Sequence, residues 1–230
     1  RPVKELTVGV SRKRQKSKMV LTVVAIVLII VALARPQWGY EWDEATQKGL
    51  DILVAIDASR SMLATDVKPN RLERAKLAAL DLMAMAKTDR IGLIAFAGTS
   101  FLQCPLTLDD NAFRQSVRAL NPDIMPQGGT ALSDTISVAL DAFAEEKDNH
   151  KILVLFTDGE DHQEFVLEMG EEAAKEELRI FTIGVGSPDG DLIPVGQENG
   201  QTVYLKDRQG QVVKSKLNEA LLQQLAGMAR

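Results

Sequence analysis

In the stretch DILVAIDASRSML, residues 51–63, three short oxygen-bearing side chains stand at alternate positions: Asp57, Ser59 and Ser61. Alternate residues of an extended turn project to one side, so a carboxylate and two hydroxyls can meet at one point. Two more follow, Thr130 in MPQGGTAL, after two glycines that let backbone approach closely, and Asp158 in FTDGED. Oxygen-only donor sets suit Mg²⁺, with Mn²⁺ or Ca²⁺ as alternatives, rather than zinc or copper. Two carboxylates and three hydroxyls neutralise a divalent ion but hold it weakly and leave part of an octahedral shell open. Such a site invites a carboxylate from outside as its last ligand.

Residues so far apart in the chain converge only if the elements carrying them end together. From Leu50 onward, apolar runs rich in Val, Ile and Phe at 50–56, 90–98, 151–157 and 179–186 read as strands buried on both faces of a parallel sheet. Helical periodicity lies between them, at 70–86, 109–120, 130–146 and 164–177. The alternation predicts an α/β fold, a doubly wound, mostly parallel sheet with right-handed crossovers. SFLQCPL, 100–106, follows its strand too closely for a crossover helix and should return antiparallel at an edge, where Pro105 is tolerated. Residues 184–214 read as loop plus hairpin before a last helix. Open sheets of this kind bind ligands beyond the carboxyl ends of their strands, where strand order reverses. Asp57 and Asp158 each close such a strand.

Charge separates the chain into parts. Residues 1–18 carry seven basic side chains against Glu5 alone, whereas residues 36–230 carry 19 basic and 31 acidic side chains, a net of −12. An acidic folded part argues against a nucleic-acid partner. Between the two lies MVLTVVAIVLIIVALA, residues 19–34, without a charge. Flanked by Lys18 and Arg35 and followed by Trp38 and Tyr40, it reads as a transmembrane helix over 19–38, with residues 1–18 as a basic cytoplasmic flank and 39–230 as the globular domain. Two alternatives stay open: a buried core helix, and a cleaved signal peptide whose small-x-small site is ALA at 32–34. In both membrane-directed readings the positive-inside rule keeps the basic flank in the cytoplasm and puts the acidic domain outside it. The opening on Arg1 and the closing helical stretch KLNEALLQQLAGMAR lead us to expect a longer parent chain.

Other chemistry-bearing residues have plainer roles. Glu160 and Asp161 could be auxiliary ligands, but acids are favoured at a helix N-terminus anyway. His150 and His162 lie on separate loops without a partner at metal spacing. Asp66, Asn70 and Arg71 precede a helix and are expected to cap it or to fix the loop beneath the site. Cys104, the single cysteine, excludes an internal disulfide and reads as a small packed side chain. The spacing of Gly184, Gly186 and Gly190 is not G-x-G-x-x-G, and DLIPVG follows where a dinucleotide loop needs a helix. A metal-dependent hydrolase using Asp57 with Mg²⁺ is the alternative function. It would need a general acid or phosphate-cradling loop near Asp57, and Asp57 is not part of an Asp-x-Asp pair, nor does the chain have a G-x-S-x-G elbow or P-loop lysine.

DASRSM, GGTAL and TDGED together resemble the metal-ion-dependent adhesion site of von Willebrand factor A domains. ATDVKPNRLERAK, RIGLIAFAGTSFLQCPLTLD, TDGEDH and GVGSPDGDLIPVG further resemble the bacterial aerotolerance (Bat) family of membrane-anchored von Willebrand factor A proteins, over about residues 35–225. The resemblance implies the Rossmann-like fold of that family and a binding module rather than an enzyme. It implies Ser59, Ser61 and Thr130 as direct or conformation-dependent ligands, Asp57 and Asp158 often acting through water, and a partner's Glu or Asp completing the shell. It also suggests a stress or aerotolerance role in an envelope complex, with sister von Willebrand factor A proteins, a tetratricopeptide-repeat protein and a MoxR-type AAA+ ATPase as associates. The ATPase is cytoplasmic, so any coupling must cross the membrane. The chain departs from the family in lacking an earlier hydrophobic segment and a C-terminal membrane helix, which a longer parent would explain. Arg60 stands where glycine is commonest, and reads either as a guide for acidic partners or as a solvated turn residue.

Overall fold

A computed structural model describes residues 12–34, 49–125, 129–144, 149–160, 165–198, 200–207 and 209–229. The chain divides into two units, Arg1–Thr46 and Gln47–Arg230. In the first, α1 (Arg12–Leu33) runs for 22 residues and is long and apolar enough to cross a membrane. At 1.5 Å per residue it spans about 33 Å, the thickness of a bilayer's hydrocarbon core. None of its residues is buried. It begins seven residues before the apolar run, within the basic flank. The boundary expected at residues 38 and 39 lies outside the described residues.

The second unit is built on a five-stranded sheet of order β3-β2-β1-β4-β5, comprising β1 (Leu50–Asp57), β2 (Arg90–Phe96), β3 (Ser100–Thr107), β4 (His150–Thr157) and β5 (Leu178–Gly184). All neighbours are parallel except β3, which returns antiparallel to β2 at the edge, as expected for SFLQCPL. Helices α2 (Arg71–Met85), α3 (Asp110–Ala119), α4 (Leu132–Phe143), α5 (Val166–Lys175) and α6 (Glu219–Met228) cover the sheet. Successive side chains of a strand point to opposite faces. Ile52, Val54 and Ile56 therefore pack with Leu72, Ala79 and Phe113 of α2 and α3, while Leu53 and Ala55 pack with Leu132, Ile136 and Leu225 of α4 and α6. Both rows are dry, which is why β1 reads as a continuous apolar run.

Strand β5 is buried on one face only. Leu178 and Ile180 are buried under α5 and α6, but Phe181 and Ile183, on the opposite face, are exposed. As the last strand of the sheet it has one face that α2 does not reach. Two helices are also shorter than their periodicity: α4 ends at Phe143, and α5 at Lys175, where Glu177 at φ 58 turns the chain back into β5. Residues 184–214 hold a hairpin of β7 (Pro194–Glu198) and β8 (Gln201–Tyr204), framed by the paired short strands β6 (Asp191–Leu192) and β9 (Lys214–Ser215). The chain leaves β1 in both directions along the sheet, to β2 on one side and β4 on the other. That reversal of strand order opens a crevice at their carboxyl ends.

Candidate metal centre

Asp57 is the last residue of β1, and Thr157, the last of β4, stands beside it. Thr157 Oγ1 donates to Asp57 Oδ2 at 2.7 Å, and the Ser59 amide donates to Asp57 Oδ1 at 2.8 Å. The second bond is an Asx-type turn, in which a carboxylate captures the amide two residues on. It bends the chain into a short 3₁₀ turn at Arg60–Leu63, and Ser59 Oγ and Ser61 Oγ come to 2.7 Å of each other. Adjacent oxygens around an ion bound at about 2.1 Å in octahedral geometry stand about 3 Å apart, so the hydroxyl pair has the spacing of two neighbouring ligands. Thr130 enters from the other side. It follows Gly129, whose φ of +116 is strained for any side chain, and it precedes α4. Ser59, Ser61 and Thr130 line one cleft of about 580 Å³ together with Arg60, Gly129 and Glu160.

Asp57 and Asp158 are both fully buried at the base of this cleft. Burial, and then the neighbouring charge of Asp158, push the Asp57 carboxyl up to about 7, against the opposing hydrogen bonds from Thr157 and Ser59. Asp158 differs because it has a cation. Arg71 Nη1 donates to its Oδ2 at 2.9 Å, Ser215 Oγ donates to the same oxygen at 3.1 Å, and the Glu160 amide donates to Oδ1 at 3.2 Å. Arg71 is itself completely buried and holds Asp66 with a two-pronged contact of 2.8 and 2.7 Å. Those bonds hold Asp66 well below the usual carboxylate range, at about 2, although its burial acts the other way. The remaining donors of Arg71 reach Ser215, Nη1 to Oγ at 2.6 Å and Nη2 to the carbonyl at 3.2 Å. The guanidinium fork suits such bidentate recognition where a lysine would not.

The donor chemistry fits a hard divalent cation. Asp57 accepts two hydrogen bonds yet has no cationic partner among the described residues, and that is the deficit an ion corrects. Among the described residues no three His, Cys, Asp or Glu side chains group closely enough to hold an ion by themselves.

All five residues expected at the site are described, and they lie at this one end of the sheet. Asn70 caps α2, accepting from the Glu73 amide at 2.8 Å, while Asp66 and Arg71 fix the loop as expected. Cys104 is a free, buried side chain on β3. His150 starts β4, at the opposite end of that strand from the site, and Asp161 and His162 lie outside the described residues. Sequence reasoning missed Thr157 and Ser215. The threonine lay in view inside FTDGED, but Ser215 is 57 residues from Asp158 and carries no local signal. Also missed was the apolar wall that Ile193, Leu205 and Val213 give the cleft.

A von Willebrand factor type A domain model matches residues 52–160. The crystal structure of the conserved hypothetical protein BatB from Bacteroides thetaiotaomicron is similar with a TM-score of 0.74 and 34% identity, over 79% of this chain and 87% of that one. An aerotolerance-related membrane protein from Bacteroides fragilis gives 0.75 and 33%, over 79% and 88%. An uncharacterized protein of Borreliella burgdorferi is 29% identical over 173 residues, 72% of this chain and 49% of its own length. The chain thus spans about half the length of the curated relatives it matches. With the sheet order, the antiparallel edge and these likenesses in agreement, the chain belongs to the von Willebrand factor type A family, and is similar within it to BatB of Bacteroides thetaiotaomicron and to the aerotolerance-related membrane protein of Bacteroides fragilis.

Proposed function

We propose that this chain is a membrane-anchored, divalent-metal-dependent protein-binding module that helps to assemble an envelope complex. The observation that carries the reading is the pairing of a buried, cation-deficient carboxylate, Asp57, with a hydroxyl pair 2.7 Å apart that opens onto a cleft. Mg²⁺ is the ion that this oxygen set favours, with Mn²⁺ or Ca²⁺ as substitutes. Ser59, Ser61 and Thr130 would hold it directly, and Asp57 and Asp158 through water. When bound, the ion supplies an open coordination position for a carboxylate of another protein. The chain's own residues keep the ion in place and fix the orientation of the hydroxyls from below.

The helix α1 serves as the anchor in this reading, with the basic residues before it in the cytoplasm and the domain on the extracytoplasmic side of the inner membrane. The aerotolerance-related membrane protein of Bacteroides fragilis supports a membrane setting. Sister von Willebrand factor A proteins, a tetratricopeptide-repeat protein and a MoxR-type AAA+ ATPase are the associates to look for.

The test is capture from solubilised membranes on the intact protein with Mg²⁺, with a chelator, and with Asp57→Ala. Proteins retained by the Mg²⁺-loaded wild type alone would establish the reading and name the partner. Equal retention in all three would overturn it, and the hydrolase alternative would then be tested on substrates.

A further inference from the structure

The cleft beside the candidate metal centre has a second character that the five oxygen donors do not explain. One of its sides is apolar. Ile193, Leu205 and Val213 line it, and they come from three separate extended segments of the β6–β9 region. They are held in line by backbone hydrogen bonds: the Leu205 amide donates to the Ile193 carbonyl at 2.8 Å, and the Val213 amide donates to the Leu205 carbonyl at 2.8 Å. Three aliphatic side chains on adjacent rungs of one small ladder make a contiguous surface. Met125 and Pro122 add apolar area to the same cleft.

This wall is tied to the elements that carry the oxygen donors by two buried polar bonds of Ser215 and one exposed bond of Glu160. Ser215, in the closing strand of the ladder, bonds both Arg71 and Asp158, and Glu160 Oε1 accepts from the Lys216 amide at 2.6 Å. The wall therefore keeps one position relative to Asp158 without needing a ligand to order it, which lowers the entropic cost of binding.

Charge sets a further condition. Beneath the cleft, Asp57, Asp158 and Asp66 stand against Arg71, so a divalent ion brings the buried group to neutrality. A carboxylate that joins the ion then adds one uncompensated negative charge. Arg60 is the one cation among the described residues that line the cleft, and its side chain is exposed there. Asp123 and Glu160 also line it, and they oppose a second acidic group nearby.

We infer that the cleft selects a partner segment carrying a single Asp or Glu next to an aliphatic or aromatic side chain, with the carboxylate shared between the ion and Arg60 and the apolar side chain seated on the half-buried Leu205 and Val213, which the buried Ile193 backs. The inference rests on the metal-dependent reading above and adds what distinguishes one acidic partner from another.

The test uses the full chain in detergent with Mg²⁺ and a display library of random nonapeptides, with Mn²⁺ titration as a separate readout of the metal site. The expected result is enrichment of peptides in which one acidic residue has an apolar neighbour, and rejection of polyacidic ones. Leu205→Ser and Val213→Ser should each weaken the best such peptide by about tenfold while leaving Mn²⁺ affinity and the binding of an acidic peptide lacking the apolar residue unchanged. Arg60→Ala should weaken both peptides, more at low salt than at high. Enrichment of acidic peptides with no apolar preference would overturn this inference and leave the metal-dependent reading standing. Selection that does not depend on Mg²⁺ would overturn both.

Discussion

The Asp57 carboxyl, sealed beneath the Ser59 amide and beside Thr157, is where pH and metal act on the same group. Its folded value of about 7 lies above the ordinary 3.8, so between those two pH values the folded state binds more protons than the unfolded state. Stability must then fall as pH rises through that window. For chelated protein we expect a lower melting temperature at pH 8 than at pH 5.5, and Asp57→Asn should remove most of the slope; a flat or rising profile in the wild type would contradict the assignment. An ion binds the deprotonated form, so the stabilisation it brings should be larger at pH 8 than at pH 5.5. Deleting donors is a separate matter. Thr130→Ala and Ser61→Ala should each weaken Mn²⁺ binding on the order of tenfold or more, read by titration, with the fold unchanged by circular dichroism.

At the scale of elements, one side chain holds the site's support together. Arg71 opens α2, yet its donors reach the loop at Asp66, the end of β4 at Asp158 and β9 at Ser215. Removing one partner of a buried ionic network leaves the others charged and uncompensated, which typically costs about 3–5 kcal/mol. Arg71→Ala should lower stability in urea by about that much, and Arg71→Lys should recover only part of it, because an ammonium cannot reproduce the fork. Hydrogen exchange should quicken in residues 187–217 of the variant, since the tie to Ser215 is gone. By contrast Asn70→Ala removes one capping bond at an exposed position and should cost about 1 kcal/mol. Equal losses for the two substitutions would refute the network's special weight. The element boundaries themselves were readable only in part. β1 to β4 follow from their apolar runs, whereas the exposed face of β5 depends on where α2 and α6 lie, which no local pattern encodes.

At the scale of the whole molecule, the proposed anchoring by α1 makes a prediction about the side of the membrane on which the acidic domain lies. Met85, exposed on α2, offers a handle, because Cys104 is buried and will give little background. With Met85→Cys, a membrane-impermeant maleimide should label intact cells as fully as permeabilised ones. Labelling that requires permeabilisation would put the domain in the cytoplasm and reverse the orientation proposed above.

Local order in this chain was written in the sequence: apolar runs at the sheet's period, helical stripes between them, and glycine before Thr130. Each depends on residues close together in the chain, where periodicity and backbone freedom act directly. The five candidate donors could be named for the same reason, since each sits at a recognisable strand end or loop. What the tertiary structure alone decided was their support and their surroundings. Arg71 meets Ser215 across 144 residues, Asp57 meets Thr157 across 100, and Ile193, Leu205 and Val213 form a wall only after three strands pair. Such contacts are set by packing and by the need to satisfy buried charge, and both arise only when the whole sheet has closed.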